Sequence, residues 1–374
     1  MHIVADENIP GLEESFGRFG NIQLCNGRTI SSRELQQADV LLIRSVSRIN
    51  QPLLVNSPVR FLGSATIGID HLDTAALDEA GIHWCHAPGC NADGAAQYTL
   101  AMIVLAARRS GLQLTELKAG IVGLGNVGSR LMQLLKSLGV NEVLACDPPL
   151  ADAGQAGLVG MADIAGCNLV SFHVPLTETG PYATRQLGNR HFFSQLQTGT
   201  LVVNNSRGAV LDAIALDDWL DAGRGHAVLD VWPDEPEIHG PLLEKVTVAT
   251  PHVAGYSLDG KLNGTRMLFK QWLRWQGIEY AEPLPPFAPA ANVLELPADS
   301  TVESAILAAC PVERDDQALR AGFSYKNRIT AKEFDQLRSN YPIRRDFVGI
   351  TIAGSVSESL AERLCQFGFS TGPG

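Results

Sequence analysis

Residues 119–149, AGIVGLGNVGSRLMQLLKSLGVNEVLACDPP, constrain the fold more than any other stretch. An apolar run leads into Gly123-Leu124-Gly125-Asn126-Val127-Gly128, a run with helical spacing follows, and a second apolar run closes at Asp147. Two strands separated by a helix-length crossover pair in parallel, so this stretch alone commits the chain to a parallel sheet covered by helices. The glycine spacing is that of a dinucleotide-binding turn. Gly123 permits the tight turn, Gly125 lets backbone approach a pyrophosphate at the helix N-terminus, and Gly128 allows close helix–strand packing. Asp147 stands close to the expected offset for accepting hydrogen bonds from ribose hydroxyls, where it would repel a 2′-phosphate. No arginine follows it in DPP, so NAD is expected rather than NADP. A glycine turn with a surface Asp is the bland alternative, and the matched context of strand, turn, helix and acid disfavours it.

The rest of the chain repeats the alternation. In the first block, HIVAD, VLLIRS, VRFLGSAT and IHWCHAP read as strands between helical stretches. In the second, AGIVGLG, EVLACD, NLVSFHV, TLVVNNS, HAVLDVW and VTVAT are apolar on both faces, as strands buried under helices require. Two longer helical stretches, GCNADGAAQYTLAMIVLAARRS (with Asn91 or Asp93 as N-cap) and GKLNGTRMLFKQWLRWQG, would join the blocks if the second were inserted into the first. A Pro-rich stretch, EPLPPFAPAANVLELPADS, then reads as a linker to a small C-terminal unit. The expected division is 1–94 with 256–285, then 95–255, then 286–374.

At 374 residues the chain exceeds one ordinary core. Its net charge of −11 disfavours nucleic acid or an anionic membrane surface as the main partner, yet leaves room for a small anion in a local basic pocket. The seven cysteines are dispersed without disulfide-framework or metal spacing, which predicts free thiols, no metal site and a reducing, cytoplasmic setting. The opening MHIVADENIP lacks the basic and apolar regions of a secretory leader, and no run approaches a membrane span.

Ligands of an open parallel sheet lie outside the carboxyl ends of its strands. Three more strand ends carry polar groups there: Asn204-Asn205-Ser206-Arg207, Asp230 with Glu235 beyond it, and His252 in TPHVAGYS. His252 can take or return a hydroxyl proton, Glu235 can orient its ring, and Arg207 can clamp a carboxylate and polarise the adjacent carbonyl. Taken singly, each has an ordinary structural reading. Together, after a satisfied dinucleotide turn, they suit hydride transfer.

GIVGLGNVG, NNSRGAVLD, LDVWPDEP and TPHVAGYS resemble, in order, the motifs of the D-isomer-specific 2-hydroxyacid dehydrogenases across about Met1 to Gly277. The resemblance implies a Rossmann NAD-binding domain inserted in a flavodoxin-like substrate domain, with Arg207, Glu235 and His252 as the catalytic set. It implies substrate contacts from Ser45, Thr66 and Tyr256. Cofactor contacts are implied for Gly123, Gly125, Asn126, Val127, Gly128, Asp147, Val174, Asn205, Ser206, Arg207, Asp230 and Gly255. Asn205 departs from the small residue usual there.

ADENIP, IRSVSRIN, GSATIGIDHLD and Tyr256 resemble members that act on a phosphorylated hydroxy acid. The extension behind the Pro-rich stretch fits the same resemblance, which implies a small α+β C-terminal domain that makes a homodimer. Its runs FVGITIAGS and LAERLCQFGF are expected to be buried against a second subunit. The residues leave the phosphate without a charged partner. Arg44 should point away from Ser45 if its strand stays extended, and Arg344-Arg345 reads as a solvated pair or as a reach into a neighbour's site. Two alternatives stay open: another dehydrogenase of the family, such as a phosphoglycerate dehydrogenase or a hydroxypyruvate reductase, and an NAD-sensing binding protein.

Overall fold

The computed structural model describes residues 1–279, 292–323 and 328–371. Most of the Pro-rich stretch, including the expected boundary at 285–286, lies outside the described residues. The chain divides into two compact units, one of residues 1–91 with 258–291 and the other of 92–257 with 292–374.

The first unit is built on a parallel sheet of β1 (His2–Asp6), β2 (Asn21–Cys25), β3 (Val40–Ile43), β4 (Phe61–Ser64) and β5 (His83–His86). Their spatial order is β2-β1-β3-β4-β5, the flavodoxin-like order. All four residues of β3 and of β4 are buried, which is why their uninterrupted apolar runs announce them. The edge strand β2, NIQLC, has no fully buried residue and so carried no such signal. The helix Leu258–Gln276 returns to this unit, where Leu268, Phe269, Trp272 and Leu273 join Phe16 and Phe61 in one core.

In the second unit β6 (Lys118–Val122), β7 (Glu142–Cys146), β8 (Leu169–Phe172), β9 (Thr200–Asn204) and β10 (Gly225–Leu229) form a parallel sheet with a later two-residue strand. With β11 (Ile238–His239) set apart, that strand is β12 (Val248–Ala249), and the order is β12-β10-β9-β8-β6-β7. The chain steps outward from β6 to β7 and then returns across β6 to β8. The carboxyl ends of β6 and β8 therefore flank the reversal where such sheets bind dinucleotides. The helix Ala92–Ser110 begins directly after Asn91, and its residues from Ala95 to Ala107 are all buried.

The C-terminal segment contributes β13 (Asn292–Glu295), β14 (Arg328–Ile329), β15 (Ile350–Ala353) and β16 (Ser370–Thr371). It does not stand apart from the Rossmann sheet. Val302, Ala305 and Ile306 share a core with the helix Ala92–Ser110 and with Val248. Asp316 accepts a hydrogen bond from the Ala249 amide at 2.8 Å and pairs with Arg109 at 2.8 Å, so it covers the outer edge of β12.

Two expectations change here. The runs expected to need a second subunit already bury most of their apolar side chains within their own chain, with Phe347 and Leu364 at 0% and Ile350 at 1% exposure, while Val348 stays 71% exposed. Arg344 and Arg345 are no solvated pair, being 4% and 8% exposed. The segment packs its apolar faces and Arg344 onto the rest of the unit that carries the Rossmann sheet.

Candidate active site

The turn after β6 separates its three glycines by what surrounds them. Gly123 has φ 90°, and a Cβ there would stand 2.8 Å from the His173 carbonyl oxygen, so no other residue fits. A Cβ at Gly128 would stand 2.0 Å from the Gly123 carbonyl oxygen. A Cβ at Gly125 would meet nothing within 4 Å. The protein itself needs the first two, whereas Gly125 leaves open space at the N-cap of the helix Asn126–Leu138, where backbone N–H groups and the helix dipole favour an anion.

Val174, half-buried beyond the end of β8, flanks the turn through a methyl 2.8 Å from that hypothetical Cβ of Gly123. Asp147 ends β7 and ties the turn down. Its Oδ2 accepts from the Leu124 amide at 2.8 Å, and its Oδ1 accepts from the Leu150 amide at 3.1 Å. Each carboxylate oxygen has a second lone pair, so ribose hydroxyls have acceptors left.

At the end of β9, Asn204 organises the next cluster. Its amide donates to the Arg207 carbonyl at 2.9 Å, and its Oδ1 accepts from the Ser206 amide at 3.1 Å and from the Ser206 hydroxyl at 2.7 Å. Asn205 donates to the Thr99 hydroxyl, while its Oδ1 is buried without a hydrogen bond. Arg207 is half-buried and donates to the Ser206 carbonyl at 2.8 Å.

Asp230, fully buried at the end of β10, sets the loop that carries the histidine. It accepts from the Thr250 hydroxyl at 2.6 Å, from the Val253 amide at 2.9 Å and from the Ala254 amide at 3.0 Å. From the other side, Arg344 donates to the Val253 and Ala254 carbonyls at 3.2 and 2.5 Å and to Gly94 at 3.1 Å. Two successive residues are thus held through their N–H groups by a carboxylate and through their carbonyls by a guanidinium. His252, just before them, has φ 57°, a left-handed conformation that a non-glycine residue keeps only when its surroundings enforce it.

The His252 ring meets Glu235, with Nδ1 2.7 Å from Oε2. The other Glu235 oxygen accepts from the Trp232 amide at 2.7 Å. Burial pushes the Glu235 carboxyl up, but His252, the Trp232 amide and the charge of Arg338 outweigh it and hold the group below the usual carboxylate range. An ionised carboxylate only accepts, so Nδ1 carries the proton that it donates to Glu235. Nε2 is then left as the basic nitrogen, and among the described residues it has no hydrogen bond. Tyr256, one turn further on, packs edge to face on Tyr341 at 5.9 Å, and the guanidinium of Arg338 lies 5.2 Å from its ring centroid.

Ser45 and Thr66 belong to the first unit. Ser45 is exposed in a turn that starts as soon as β3 stops at Ile43, so the strand does not extend to it. Arg44 pairs with the buried Asp6 at 3.1 Å. Thr66 donates to the Gly68 carbonyl at 3.1 Å and hydrogen-bonds Ser64 at 2.7 Å. Thr250 and Arg338 had no local signal, because each matters through what it touches in the fold, while Asn204 showed only as part of its strand-end cluster and Arg344 only as half of a basic pair.

Residues 96–254 match the family model described as D-isomer specific 2-hydroxyacid dehydrogenase, NAD binding domain, and residues 285–368 match one described as a domain of unknown function. Two solved structures share the fold. One is a D-lactate dehydrogenase from Aquifex aeolicus complexed with NAD and lactic acid, with a TM-score of 0.62 and 20% identity over 74% of this chain and 96% of that one. The other is an NAD+-bound 3-phosphoglycerate dehydrogenase from Entamoeba histolytica, with a TM-score of 0.64 and 20% identity over 74% of this chain and 95% of that one. Fold and site together define an NAD-dependent 2-hydroxyacid dehydrogenase. An erythronate-4-phosphate dehydrogenase from Edwardsiella ictaluri is 41% identical over 94% of this chain and 94% of its own, and one from Escherichia coli is 39% identical over 99% and 98%. The chain belongs to the erythronate-4-phosphate dehydrogenase family.

Proposed function

We propose that the chain oxidises 4-phospho-D-erythronate to (R)-3-hydroxy-2-oxo-4-phosphooxybutanoate, with NAD as acceptor, in the formation of pyridoxal 5′-phosphate. The observation that carries the chemistry is His252, with Nδ1 committed to Glu235 and Nε2 unengaged, in the unit that holds the dinucleotide turn. The name of relatives about 40% identical over nearly the whole chain carries the substrate.

NAD, when bound, would supply the acceptor for the hydride leaving the substrate C2. Gly123, Gly125, Asn126, Val127 and Gly128 would receive its pyrophosphate, Asp147 its ribose hydroxyls, and Val174, Asn205, Ser206, Arg207, Asp230 and Gly255 its remaining parts. His252 Nε2 accepts the C2 hydroxyl proton, and Glu235 stabilises the imidazolium that forms. Arg207 binds the substrate carboxylate and opposes charge on the C2 oxygen. Ser45, Thr66 and Tyr256 contact the substrate. Initial rates over 4-phosphoerythronate, 3-phosphoglycerate, glycerate and lactate test this reading. A preference for any of the last three would replace it, and NAD binding without turnover of any would make the chain a sensor.

Glu235→Gln tests the pairing with His252. Oxidation needs the neutral imidazole, so activity falls on the acid side of the pH–rate profile. Without the carboxylate the imidazolium is less favoured, and that acid limb moves to lower pH. A profile that overlays the parent's would mean that Glu235 does not act on His252.

Asp147 sets the cofactor preference. Catalytic efficiency with NAD should exceed that with NADP, and equal efficiencies would remove Asp147 from the ribose. An Asp147→Ser variant with an arginine added nearby should narrow the gap. It should also lose some stability, because the Leu124 and Leu150 amides lose a charged acceptor.

The chain is a homodimer through its C-terminal segment and works in the cytoplasm. Val293 on the edge strand β13, Ile343 and Val348 are 58%, 79% and 71% exposed, which supports a contact there. The seven cysteines are all free, as a reducing compartment would keep them. Among the described residues, no helix is long and apolar enough to cross a membrane.

A further inference from the structure

Arg338 lies on the helix Ala331–Ser339, in the same compact unit as Glu235, His252 and Tyr256. Its guanidinium carbon is 5.2 Å from the ring centroid of Tyr256 and 5.5 Å from that of Phe334. Its Nε is buried without a hydrogen bond, and among the described residues the side chain has no hydrogen bond or ion pair at all. The arginines around it are differently placed. Arg344 donates to three carbonyls, Arg320 to Asp316 and two carbonyls, and Arg314 pairs with Asp315.

A guanidinium is always charged and presents donors in a rigid fork suited to carboxylate or phosphate oxygens. Two aromatic rings hold this one in place yet offer it no anionic oxygen. Its charge is felt at the Glu235 carboxyl, which places it within electrostatic reach of the Glu235–His252 pair. Withdrawing Nε from water without an acceptor is costly, and an arriving anion relieves that cost. On the reading above, Arg207 takes the substrate carboxylate. The far end then brings a phosphate that Tyr256, in the same unit as Arg338, can meet only with a neutral hydroxyl.

We propose that Arg338 binds the phosphate of the substrate, braced by the rings of Tyr256 and Phe334, so that the C-terminal segment supplies the selection for a phosphorylated far end. This rests on the substrate proposed above. It assigns to residues 285–368, the stretch matched to a domain of unknown function, a part in substrate recognition as well as in assembly.

The test compares the parent with Arg338→Gln and Arg338→Lys, using 4-phosphoerythronate and unphosphorylated erythronate as substrates. Inorganic phosphate is also titrated into the NAD-loaded proteins. Arg338→Gln should lower kcat/KM for 4-phosphoerythronate by about 100-fold or more, mainly through KM, the scale of a lost charged, bidentate contact. It should change kcat/KM for erythronate by less than about threefold and weaken inorganic phosphate at least tenfold. Arg338→Lys, keeping the charge without the fork, should fall between. Equal losses on both substrates with NAD binding intact would show action through Glu235 and His252 and overturn the proposal, as would unchanged phosphate affinity. If Arg338→Gln no longer binds NAD, Arg338→Lys decides: a KM rise confined to the phosphorylated substrate supports the proposal and its absence overturns it. A parent that does not turn over 4-phosphoerythronate ends the substrate reading, and the phosphate titration still decides the anion site.

Discussion

His252→Ala should lose turnover by at least about 100-fold while NAD affinity stays nearly unchanged, as expected of a lone general base. The loss falls on the chemistry because His252 lies on a loop fixed from both sides, by Asp230 at the Val253 and Ala254 amides and by Arg344 at their carbonyls. His252→Asn is the sharper variant. Asparagine tolerates the left-handed φ of 57° better than most residues, so it keeps the loop and removes only the base. Arg207→Ala should show a loss of similar size, with KM for the hydroxy acid rising as well. The double variant should lose less than the product of the two, because groups acting in one transition state are not additive. A decrease below tenfold in His252→Asn would move the proton transfer to another group.

The parallel sheets were legible because central strands are buried on both faces and read as unbroken apolar runs. β3 and β4 are of this kind, whereas β2 sits at an edge, half in water, and leaves no run to read. The dinucleotide turn was legible for a different reason. Gly123 and Gly128 are forced by backbone atoms of the turn and its neighbour, so the sequence itself displays the geometry. His252 and Glu235 were visible as strand-end residues, and their 2.7 Å contact joins residues only 17 apart. Arg344 and Arg338 escaped because the groups they meet near His252, the Val253 and Ala254 carbonyls and the Tyr256 ring, lie more than eighty positions upstream. Nothing within YPIRRDF tells a buried clamp from a solvated basic pair. The apolar runs near the C-terminus were seen, but periodicity reports that a face must be covered and not which surface covers it. Here that surface is the helix Ala92–Ser110 and its surroundings, in the same chain.

That placement changes what removal of the C-terminal segment should do. Cutting the chain near Pro286 is expected to abolish turnover, and not only to dissolve a dimer. The cut uncovers the face of the helix Ala92–Ser110 on which Val302, Ala305 and Ile306 pack, leaves the edge of β12 without Asp316, and strips Arg344 from three carbonyls. Exposed apolar surface of that extent favours aggregation. The point variant Arg344→Met separates the clamp from the rest. It keeps the apolar stem and leaves the Ala254 carbonyl short of a donor, while the Val253 carbonyl keeps the Tyr256 amide, at a cost on the order of 1–3 kcal/mol for a buried unsatisfied group. Thermal unfolding should therefore come several degrees lower, and kcat should fall further than NAD affinity because the loop next to His252 loses its hold. Sedimentation of Arg344→Met as a dimer with reduced kcat would place the defect in the loop and not in assembly. A truncated chain that stays soluble and turns over at the parent's rate would show that Asp230 alone can hold the loop, and the C-terminal segment would then have no part in the active site.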